Sequence, residues 1–272
     1  MTADLDIIIA SHNTRDDLLA CLASLEANPP ARLRHVIVVD NASSDGSVES
    51  VRARFPAVRV TALDRNMGFG AANNVALRAT DAPLVLLLNS DTLVPAGAVD
   101  ALASRLLSTG AVAAGPRLID GQGRPEISCG AMLSPLAELR QWIWTAAARS
   151  DARVVRSAVF RRLERERDVG WVSGACLLLR RDAAHAAGFF DERFFLYEED
   201  VDLCAALRAG GGRVLFTPQA DVVHRRGRSV ARAGAAASAY YDRSHVLFYE
   251  KHRPFWTPWL RLWLAMRGRR IR

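Results

Sequence analysis

The chain has 272 residues, half of them hydrophobic and 24% charged, as in an ordinary globular protein. Its apolar runs are far shorter than the ~20 residues that a membrane-spanning helix needs. No secretion signal precedes the first predicted strand, so we expect a cytoplasmic protein. Residues 251–272 contain seven of the 36 Lys and Arg residues and no acid, and the rest of the chain balances 29 basic against 29 acidic residues. A nucleic-acid-binding protein would spread its basic residues over a folded face, so this distribution argues against nucleic acid as a partner.

The first half of the sequence alternates short apolar runs with amphipathic segments. Strands are predicted at residues 7–9, 36–39, 58–60 and 84–88. Helices are predicted near residues 18–25, 47–55, 70–79 and 95–107. Thr14 and Asp17 resemble a capping box before the first helix. Repeated strand–helix units of this kind predict a parallel sheet with right-handed crossovers.

The second half of the sequence is less regular. Residues 134–168 hold two tryptophans ahead of a dense mix of Arg and Glu, and they could form a helical excursion or a mobile lid. Further elements are predicted as strands at 171–180, 213–216 and 221–223 and as helices at 182–187 and 201–209. Four scattered cysteines without the close pairs of a zinc site are expected to be reduced residues in or near the core.

The run of five bulky apolar residues at 84–88 is the most informative segment. A strand of this composition is stable only when both faces of its sheet are covered. It ends at Asn89, Ser90 and Asp91. Ligands bind beyond the carboxyl ends of strands in open α/β sheets. Asp91 is therefore well placed to hold Mg²⁺ or Mn²⁺, which usually take one or two carboxylates and complete their shells with water and phosphate. The alternative is that these three residues turn the chain and cap the helix near Pro95.

Two further polar segments follow predicted strands in the first half. Asp40 ends the strand at 36–39, where a carboxylate can accept the N3–H of uracil or thymine, although a helix cap or a turn is the favoured explanation for this residue taken alone. Asn66-Met67-Gly68-Phe69-Gly70 precedes a helix, and glycines there let the backbone approach a phosphate or polar sugar. An ordinary turn is the alternative, and the missing Gly-Lys-Ser/Thr ending excludes a Walker loop.

A cluster of four acids lies in the second half, at Glu198, Glu199, Asp200 and Asp202, directly after an aromatic-rich segment. A carboxylate among aromatic rings can act as a general base, since burial tunes its proton affinity. The alternative is that acids simply favour the first turn of the following helix. His224 closes the strand at 221–223, and such a lone histidine becomes a credible metal ligand only with suitable partners.

Taken in order, these segments resemble family 2 glycosyltransferases with the GT-A fold, specifically the bacterial rhamnosyltransferase-like branch. The resemblance covers roughly residues 5–250. It is carried by Ser11-His12-Asn13, Val39-Asp40-Asn41-Ala42-Ser43, Asn66-Met67-Gly68-Phe69-Gly70 with Asn73-Asn74, Leu88-Asn89-Ser90-Asp91, Trp171-Val172-Ser173-Gly174-Ala175, Gly188-Phe189-Phe190-Asp191-Glu192, Tyr197-Glu198-Glu199-Asp200-Val201-Asp202-Leu203 and His224. It implies an α/β fold with a mainly parallel central sheet flanked by helices. It divides the chain into a nucleotide-binding half at about 1–115, an acceptor and catalytic half at about 116–250, and a tail at 251–272.

The resemblance also implies roles for individual residues. Asp200 is implied as the catalytic base with Glu199 beside it, and Asp91 and His224 as ligands of a Mg²⁺ or Mn²⁺ ion. The implied nucleotide-sugar pocket comprises Ser11, His12, Asn13, Asp40, Asn66, Gly68, Asn73, Asn89 and Ser90. The implied acceptor and sugar pocket comprises Trp171, Gly174 and Ala175. Many relatives carry an acid where this chain has Asn89, so weaker metal binding is expected.

The reaction implied by the resemblance is an inverting transfer of L-rhamnose from dTDP-L-rhamnose to a lipid-linked or growing cell-surface glycan. A UDP-sugar donor, including UDP-galactofuranose, is the main alternative, since Asp40 would accept either pyrimidine. A non-catalytic nucleotide- or glycan-binding module would need neither Asp200 nor a metal. A sugar nucleotidyltransferase would need a Gly-rich loop with a nearby Arg or Lys around residues 10–20, and the sequence has none.

The tail predicts a short amphipathic helix, which Thr257 can cap with Pro258 in the first turn. Its apolar face comprises Trp256, Trp259, Leu260, Trp263 and Leu264. Its basic residues include Arg261, Arg267, Arg269, Arg270 and Arg272. Tryptophan and arginine on one helix suit an anionic membrane surface, so we expect the protein at the inner face of the cell membrane. The alternative is that the tryptophans pack on the protein's own domain.

Overall fold

A mostly parallel sheet runs through the centre of the molecule, with helices on both faces. The structure is a computed structural model that describes residues 4–148, 150, 152–225 and 228–269. Its strands are β1 (Leu5–Ser11), β2 (Leu33–Asp40), β3 (Arg59–Ala62), β4 (Leu84–Asn89), β5 (Thr92–Leu93), β6 (Ala113–Ile119), β7 (Cys129–Gly130), β8 (Arg167–Asp168), β9 (Trp171–Val172), β10 (Cys176–Arg180) and β11 (Val214–His224). Its helices are α1 (Arg15–Ala27), α2 (Ser47–Arg54), α3 (Phe69–Ala79), α4 (Ala98–Thr109), α5 (Pro135–Ala148), α6 (Arg153–Leu163), α7 (Arg181–Ala186), α8 (Glu199–Ala209), α9 (Arg228–His252) and α10 (Thr257–Met266).

The order of strands brings the polar ends of three parallel strands together. Across the sheet the order is β3-β2-β1-β4-β10-β6-β11-β5, with β8 added at β11 and a separate β7–β9 pair. β1 is parallel to β2 and β4, while β10 is antiparallel to β4 and β6. The register places Ser11 beside Asp40 and Ala10 beside Asn89. The residues that follow β1, β2 and β4 therefore meet at one edge, called the carboxyl edge below.

Strand β4 is covered on both faces, as its apolar run predicts. Leu86 and Leu88 pack in a core layer with residues of α1 and α4, whereas Val85 and Leu87 pack with residues of α3 and α8. None of the five residues at 84–88 is more than 2% exposed. Burying each such side chain stabilises the fold by about 1.5–3 kcal/mol, so the strand that ends at the carboxyl edge is firmly held.

Three sequence predictions are corrected by the structure. The helix expected from Pro95 begins at Ala98, because Gly97 directly before it has a left-handed backbone, with φ of 73°. The strand expected at 171–180 is two strands, β9 and β10, since the turn between them gives the Gly174 N–H to a side chain instead of a neighbouring strand. The two late strands are one, β11, whose register shifts between Thr217 and Asp221.

Other predictions have mixed outcomes. Residues 134–168 contain the helices α5 and α6, as expected for a helical excursion, and a role as a lid stays a prediction. Thr14 does precede α1, but its hydroxyl bonds to the Ser11 and Ser90 hydroxyls, so the capping box was wrong. The long helix α9 was not predicted. All four cysteines are buried and unbridged, as expected.

The apolar face of the tail is divided between protein and solvent. Leu264 is 2% exposed, and Leu260 packs against a cluster that includes Leu133 and Phe194. Trp259 is 63% exposed. Within the described part of the chain, no helix is both long and apolar enough to cross a bilayer.

The charged residues of the tail are mostly paired with the domain. Arg261 forms an ion pair with Glu250, and Arg269 forms one with Asp242. Arg267 lies over the ring of Trp263, 3.9 Å from its centroid. Arg270 and Arg272 lie outside the described residues.

Candidate active site

Two loops at the carboxyl edge are joined by polar contacts. Asn13 has a left-handed backbone, with φ of 53°, and its N–H donates to the Ser43 hydroxyl over 2.9 Å. The Asn13 side-chain oxygen accepts the Ser44 N–H, and His12 Nδ1 lies 2.9 Å from the Asn41 carbonyl oxygen. The loop after β1 is thus held on the loop after β2, which makes one continuous wall.

Asp40 presents an unused carboxylate oxygen at this wall. Its Oδ2 accepts the Ser43 N–H over 2.9 Å, but its Oδ1 has no hydrogen-bond partner among the described residues, although Asp40 is only 2% exposed. A buried acceptor without a partner costs free energy. The arrangement therefore fits a ligand that supplies an N–H to this oxygen.

Ser11 and Ser90 form a chain of hydroxyls across the edge. Thr14 lies between them, with 2.8 Å between its hydroxyl and each of theirs. Ser11 and Ser90 are both buried, and the hydroxyl of each contacts the Thr14 hydroxyl. Asn89 is partly exposed at the end of β4, where its N–H donates to the Ala175 carbonyl oxygen over 3.0 Å.

Gly68 joins the first half of the chain to the acidic segment. Its φ is +88°, and a Cβ at this position would lie 2.3 Å from the Phe195 carbonyl oxygen. That oxygen accepts the Phe69 N–H over 3.0 Å. The exposed Asn66 supplies its Oδ1 to the Asn41 amide and to the Gly68 N–H. Only glycine satisfies both this backbone conformation and this close approach.

The two asparagines of α3 have different surroundings. Asn74 binds the backbone of Phe190 through both its amide nitrogen and its oxygen, at 2.9 and 3.0 Å. Asn73 is fully buried, and its amide nitrogen donates to the Phe69 carbonyl oxygen. Its Oδ1 has no hydrogen-bond partner in the described chain. Asn74 therefore holds the second half of the chain against α3, while Asn73 lies beneath the site.

Asp91 and His224 are adjacent and buried. His224 Nε2 lies 3.2 Å from Asp91 Oδ1, and the two residues are 7% and 5% exposed. The pairing of β5 with β11 and a 2.8 Å bond from the Arg225 N–H to the Asp91 carbonyl oxygen bring them together. Because Asp91 leads into β5 and not into a helix, the capping alternative for residues 89–91 is wrong.

Glu126 is the third member of this group, and no pattern in the sequence points to it. Its Oε2 lies 3.1 Å from His224 Nδ1, and it comes from the Gly-rich loop after β6. Burial lowers the pKa of His224, but hydrogen bonds to Asp91 and Glu126 outweigh burial and raise it to about 9. A carboxylate hydrogen-bonded to a histidine ring in this way fixes the orientation of the ring.

The Asp91–His224 pair fits a divalent cation that takes part of its shell from a substrate. No group of three or more His, Cys, Asp or Glu side chains with metal-binding geometry occurs in the residues that the structure describes. Mg²⁺ and Mn²⁺ do not need such a group, because they accept water and phosphate oxygens as ligands.

Asp200 lies at the start of α8 with its carboxylate fixed by backbone donors. Its Oδ2 accepts the Gly174 N–H over 2.7 Å, and its Oδ1 accepts the Val201 N–H over 2.8 Å. Burial raises the pKa of Asp200, and these hydrogen bonds oppose the rise. A positioned carboxylate with a raised proton affinity suits general base catalysis.

Glu199 is buried beside Asp200. Burial, and next the charge of Asp200, raise its pKa well above the ordinary value. Its Oε2 has no hydrogen-bond partner among the residues described. Two neighbouring carboxylates resist double ionisation, and burial together with the charge of Asp200 favours the protonated form of Glu199.

The acidic segment is held by α9 and α5. Tyr197 and Glu198 both have left-handed backbones, with φ of 72° and 63°. His245 Nδ1 lies 2.7 Å from Glu198 Oε1, and its Nε2 lies 3.3 Å from Glu138 Oε2. The Tyr249 hydroxyl donates to the same Glu138 carboxylate.

Asp202, the last of the four acids, anchors the end of α9. Asp202 binds Lys251 over 2.9 Å and His252 over 2.6 Å. The four acids of this segment therefore have different surroundings: Glu198 contacts His245, Glu199 and Asp200 lie side by side, and Asp202 binds the end of α9. The first basic residue of the predicted tail is an ion-pair partner of the domain.

The predicted acceptor and sugar pocket is only partly assembled from side chains. The Gly174 N–H contacts Asp200, and Trp171 is partly exposed next to the cluster around Leu133. The Ala175 side chain packs in the main core, so this residue reaches the site only through its backbone.

The fold and this edge define a GT-A glycosyltransferase. The model of the family described as Glycosyl transferase family 2 matches residues 6–185, which is more than half of the chain. The chain belongs to glycosyltransferase family 2, in its rhamnosyltransferase-like branch. The predictions of fold, family and enzymatic class are therefore confirmed, and the binding-module and nucleotidyltransferase alternatives are wrong.

One curated relative is similar over nearly the whole chain. It is N-acetylglucosaminyl-diphospho-decaprenol L-rhamnosyltransferase of Mycobacterium tuberculosis, 33% identical, with 96% of this chain and 89% of the relative aligned.

Two solved structures share the fold. The mannosyltransferase PcManGT from Pyrobaculum calidifontis, in complex with GDP-Man and Mn²⁺, aligns with a TM-score of 0.62 and 19% identity over 96% of this chain and 68% of its own. GalNAc-T7 with UDP, GalNAc and Mn²⁺ aligns with a TM-score of 0.60 and 14% identity over 82% of this chain and 44% of its own.

Proposed function

We propose that the protein transfers L-rhamnose from dTDP-L-rhamnose, with inversion, to an acceptor carried on a lipid diphosphate. The name of the mycobacterial relative supports both the sugar and the acceptor class. The observation that carries the catalytic assignment is the turn at residues 173–175. Its Gly174 N–H binds Asp200, and its Ala175 carbonyl oxygen binds the Asn89 N–H at the end of β4. The candidate base and the candidate metal-binding segment thus flank one short turn.

Asp40 is the proposed receptor for the nucleotide base. Its unused Oδ1 would accept the N3–H of thymine, which removes the cost of a buried oxygen without a partner. Uracil carries the same N3–H, so a UDP-sugar such as UDP-galactofuranose is the second candidate donor. Asp40→Asn should weaken binding of both dTDP and UDP, because the amide can turn a donor toward the base.

The proposed chemistry uses two groups of side chains. Asp91 and His224 would hold Mg²⁺ or Mn²⁺, and a cation there would offset the negative charge of the leaving group. Asp200 accepts the proton of the acceptor hydroxyl as that oxygen attacks the anomeric carbon and the bond to the diphosphate breaks. Glu199, held protonated, can donate a hydrogen bond to a hydroxyl of the sugar or the acceptor.

A donor panel tests this proposal. The full chain is incubated with Mg²⁺ or Mn²⁺, a synthetic polyprenyl-diphosphate-linked N-acetylglucosamine, and dTDP-L-rhamnose, UDP-galactofuranose or GDP-mannose. We expect a rhamnosylated lipid from the first donor alone. A product from UDP-galactofuranose and none from dTDP-L-rhamnose would establish the second candidate. Transfer only to acceptors that lack the lipid diphosphate would overturn the acceptor class.

The tail is the proposed contact with the membrane surface. Trp256, Trp259 and Trp263 are 42%, 63% and 43% exposed, and the neighbouring Phe255 is 76% exposed. Exposed aromatic side chains on a short helix suit the interface between lipid headgroups and acyl chains. An enzyme held there would meet a lipid-linked acceptor directly.

A further inference from the structure

A cavity of about 350 Å³ is lined by three arginines that come from separate elements. Arg162 lies near the end of α6, Arg167 lies in β8, and Arg208 lies near the end of α8. β8 pairs with Leu215 and Phe216 at the beginning of β11, whereas His224 ends that strand at the carboxyl edge. Arg208 follows Asp200 by two helical turns, or about 12 Å along α8. The cavity is therefore separate from the proposed donor site.

The charges of these arginines are not neutralised by carboxylates. In the part of the chain that the structure describes, Arg208 donates to the Val169 carbonyl oxygen over 3.0 Å, and Arg167 donates to the carbonyl oxygens of Arg162 and Arg165. None of the three guanidinium groups has a carboxylate partner in these residues. Asp168 also lines the cavity, but both of its carboxylate oxygens are bound by Arg213, at 2.9 and 3.1 Å.

The guanidinium groups are nevertheless held in place. Arg162 lies over the Trp144 ring, 4.7 Å from its centroid, and Arg167 lies over the Phe216 ring at 4.9 Å. Burial, and next the charge of Arg167, lower the pKa of Arg162, as expected for a cation close to another cation. A ring-stacked arginine loses little further freedom when it binds a ligand, and most N–H donors of Arg162 remain available.

The wall of the cavity also depends on a close backbone approach. The Gly170 N–H donates to the Gly130 carbonyl oxygen over 2.7 Å. A Cβ on Gly170 would lie 2.1 Å from the Met132 backbone nitrogen, so no other residue fits without a shift of the chain. The segment that carries Arg167 and Gly170 is thus fixed relative to the segment that carries Gly130 and Met132.

We propose that this cavity binds a phosphate or diphosphate group at a site distinct from the donor site. Three arginines that line one cavity without carboxylate partners among the described residues match the positive charge and the fork of N–H donors that phosphate oxygens require. The group could belong to a soluble metabolite or to a phospholipid. The second source is compatible with α5, which carries Trp144 and also exposes Leu139 and Trp142, at 55% and 69%.

Calorimetry with inorganic diphosphate tests the site. The full chain is titrated with saturating dTDP present, so that the donor site is occupied. The test variants are Arg162→Gln with Arg208→Gln, and Arg208→Gln alone, because Arg208 is exposed and its replacement should not affect folding. The matched control is Arg161→Gln. Arg161 is exposed on α6, the helix that carries Arg162, but it does not line the cavity.

We expect the double variant to weaken diphosphate binding at least about tenfold and the single variant to weaken it less, with the control unchanged. Equal binding by all proteins, or no binding by the wild type at millimolar diphosphate, would overturn the proposal. Vesicles of phosphatidylcholine with and without phosphatidate identify the source. A loss of phosphatidate-dependent binding in the double variant, but not in the control, assigns a phospholipid. Unchanged vesicle binding together with lost diphosphate affinity assigns a soluble phosphate.

Discussion

His245 on α9 holds Glu198 through a 2.7 Å contact between Nδ1 and Oε1, across 47 positions of sequence. Glu198 follows Tyr197, and both have backbones in the left-handed region, where a non-glycine residue costs about 1–3 kcal/mol. The next two residues are Glu199 and Asp200. The contact between His245 and Glu198 therefore fixes the backbone that leads into Asp200, the candidate base.

The first prediction is that His245 positions Asp200 without touching the substrate. His245→Ala should lower kcat about tenfold while the donor KM changes less than about twofold, because the donor contacts lie on other loops. His245→Gln keeps a donor for Glu198 and should restore much of kcat. Steady-state kinetics on both variants checks this, and equal losses in kcat and in donor affinity would argue for a general structural defect instead.

The second prediction concerns the dependence of stability on pH. Burial lowers the pKa of His245, but hydrogen bonds to Glu138 and Glu198 outweigh it and raise the value to about 10. A raised histidine pKa stabilises the fold fully below the unfolded value of 6.5 and loses this contribution as pH rises toward 10. Besides the two acids, Tyr241 and Tyr249 of α9 pack against the ring.

Melting temperatures of the wild type and of His245→Gln, measured from pH 6 to pH 10, check this sign. The gap between the two proteins should be widest at pH 6 and should shrink as pH rises. A gap that stays constant or widens would show that the histidine acts by packing alone.

The third prediction separates the two neighbouring acids at the start of α8. Asp200→Asn should lower kcat by about 10²–10⁴, with dTDP affinity almost unchanged, because loss of a general base typically has this cost. Glu199→Gln should have a much smaller effect, since the amide reproduces the protonated carboxyl group. The acid limb of the kcat profile should lie above the ordinary aspartate pKa of 3.8, because burial raises the pKa of Asp200. Equal losses in both variants would contradict the assignment of Asp200 as the base.

The fourth prediction concerns Asp91, His224 and Glu126. Asp91→Ala should weaken metal-dependent donor binding more than His224→Ala, since Asp91 supplies the negative charge. Glu126→Gln should weaken it about 10–100-fold, because it removes the carboxylate that orients the His224 ring. Asp120→Asn, in the same loop, is the matched control. Calorimetry of dTDP-L-rhamnose with Mn²⁺ and with chelator measures the effect. Donor binding that chelator does not change would contradict a metal site.

The parts of this molecule that the sequence predicts well are those with a local cause. The apolar run at 84–88 predicts a strand covered on both faces, and the positions of Asp40 and Asp91 at the carboxyl ends of their strands follow from the same apolar patterns. Glu126 gives no such signal, because its partner His224 lies 98 positions away and no periodicity connects them. The division of the acidic cluster likewise depends on how α9 packs on α8, which no local pattern encodes.

The last prediction concerns the tail. Leu260 and Leu264 pack on the domain, so deletion of residues 254–272 should lower the melting temperature as well as membrane binding. The exposed Trp259 and Trp263 allow a cleaner test: replacing both with Ser should reduce co-sedimentation with anionic vesicles while the melting temperature stays within a few degrees.

Leu107→Ser is the control for the loss of surface hydrophobicity, because Leu107 is an exposed apolar residue of α4. Because Arg261 and Arg269 are already paired with Glu250 and Asp242, the binding should depend mainly on the tryptophans and only weakly on salt. If the double variant sediments with vesicles as well as the wild type does, the tryptophans do not anchor the protein. A strong decrease in wild-type binding with salt would instead assign the contact to the basic residues.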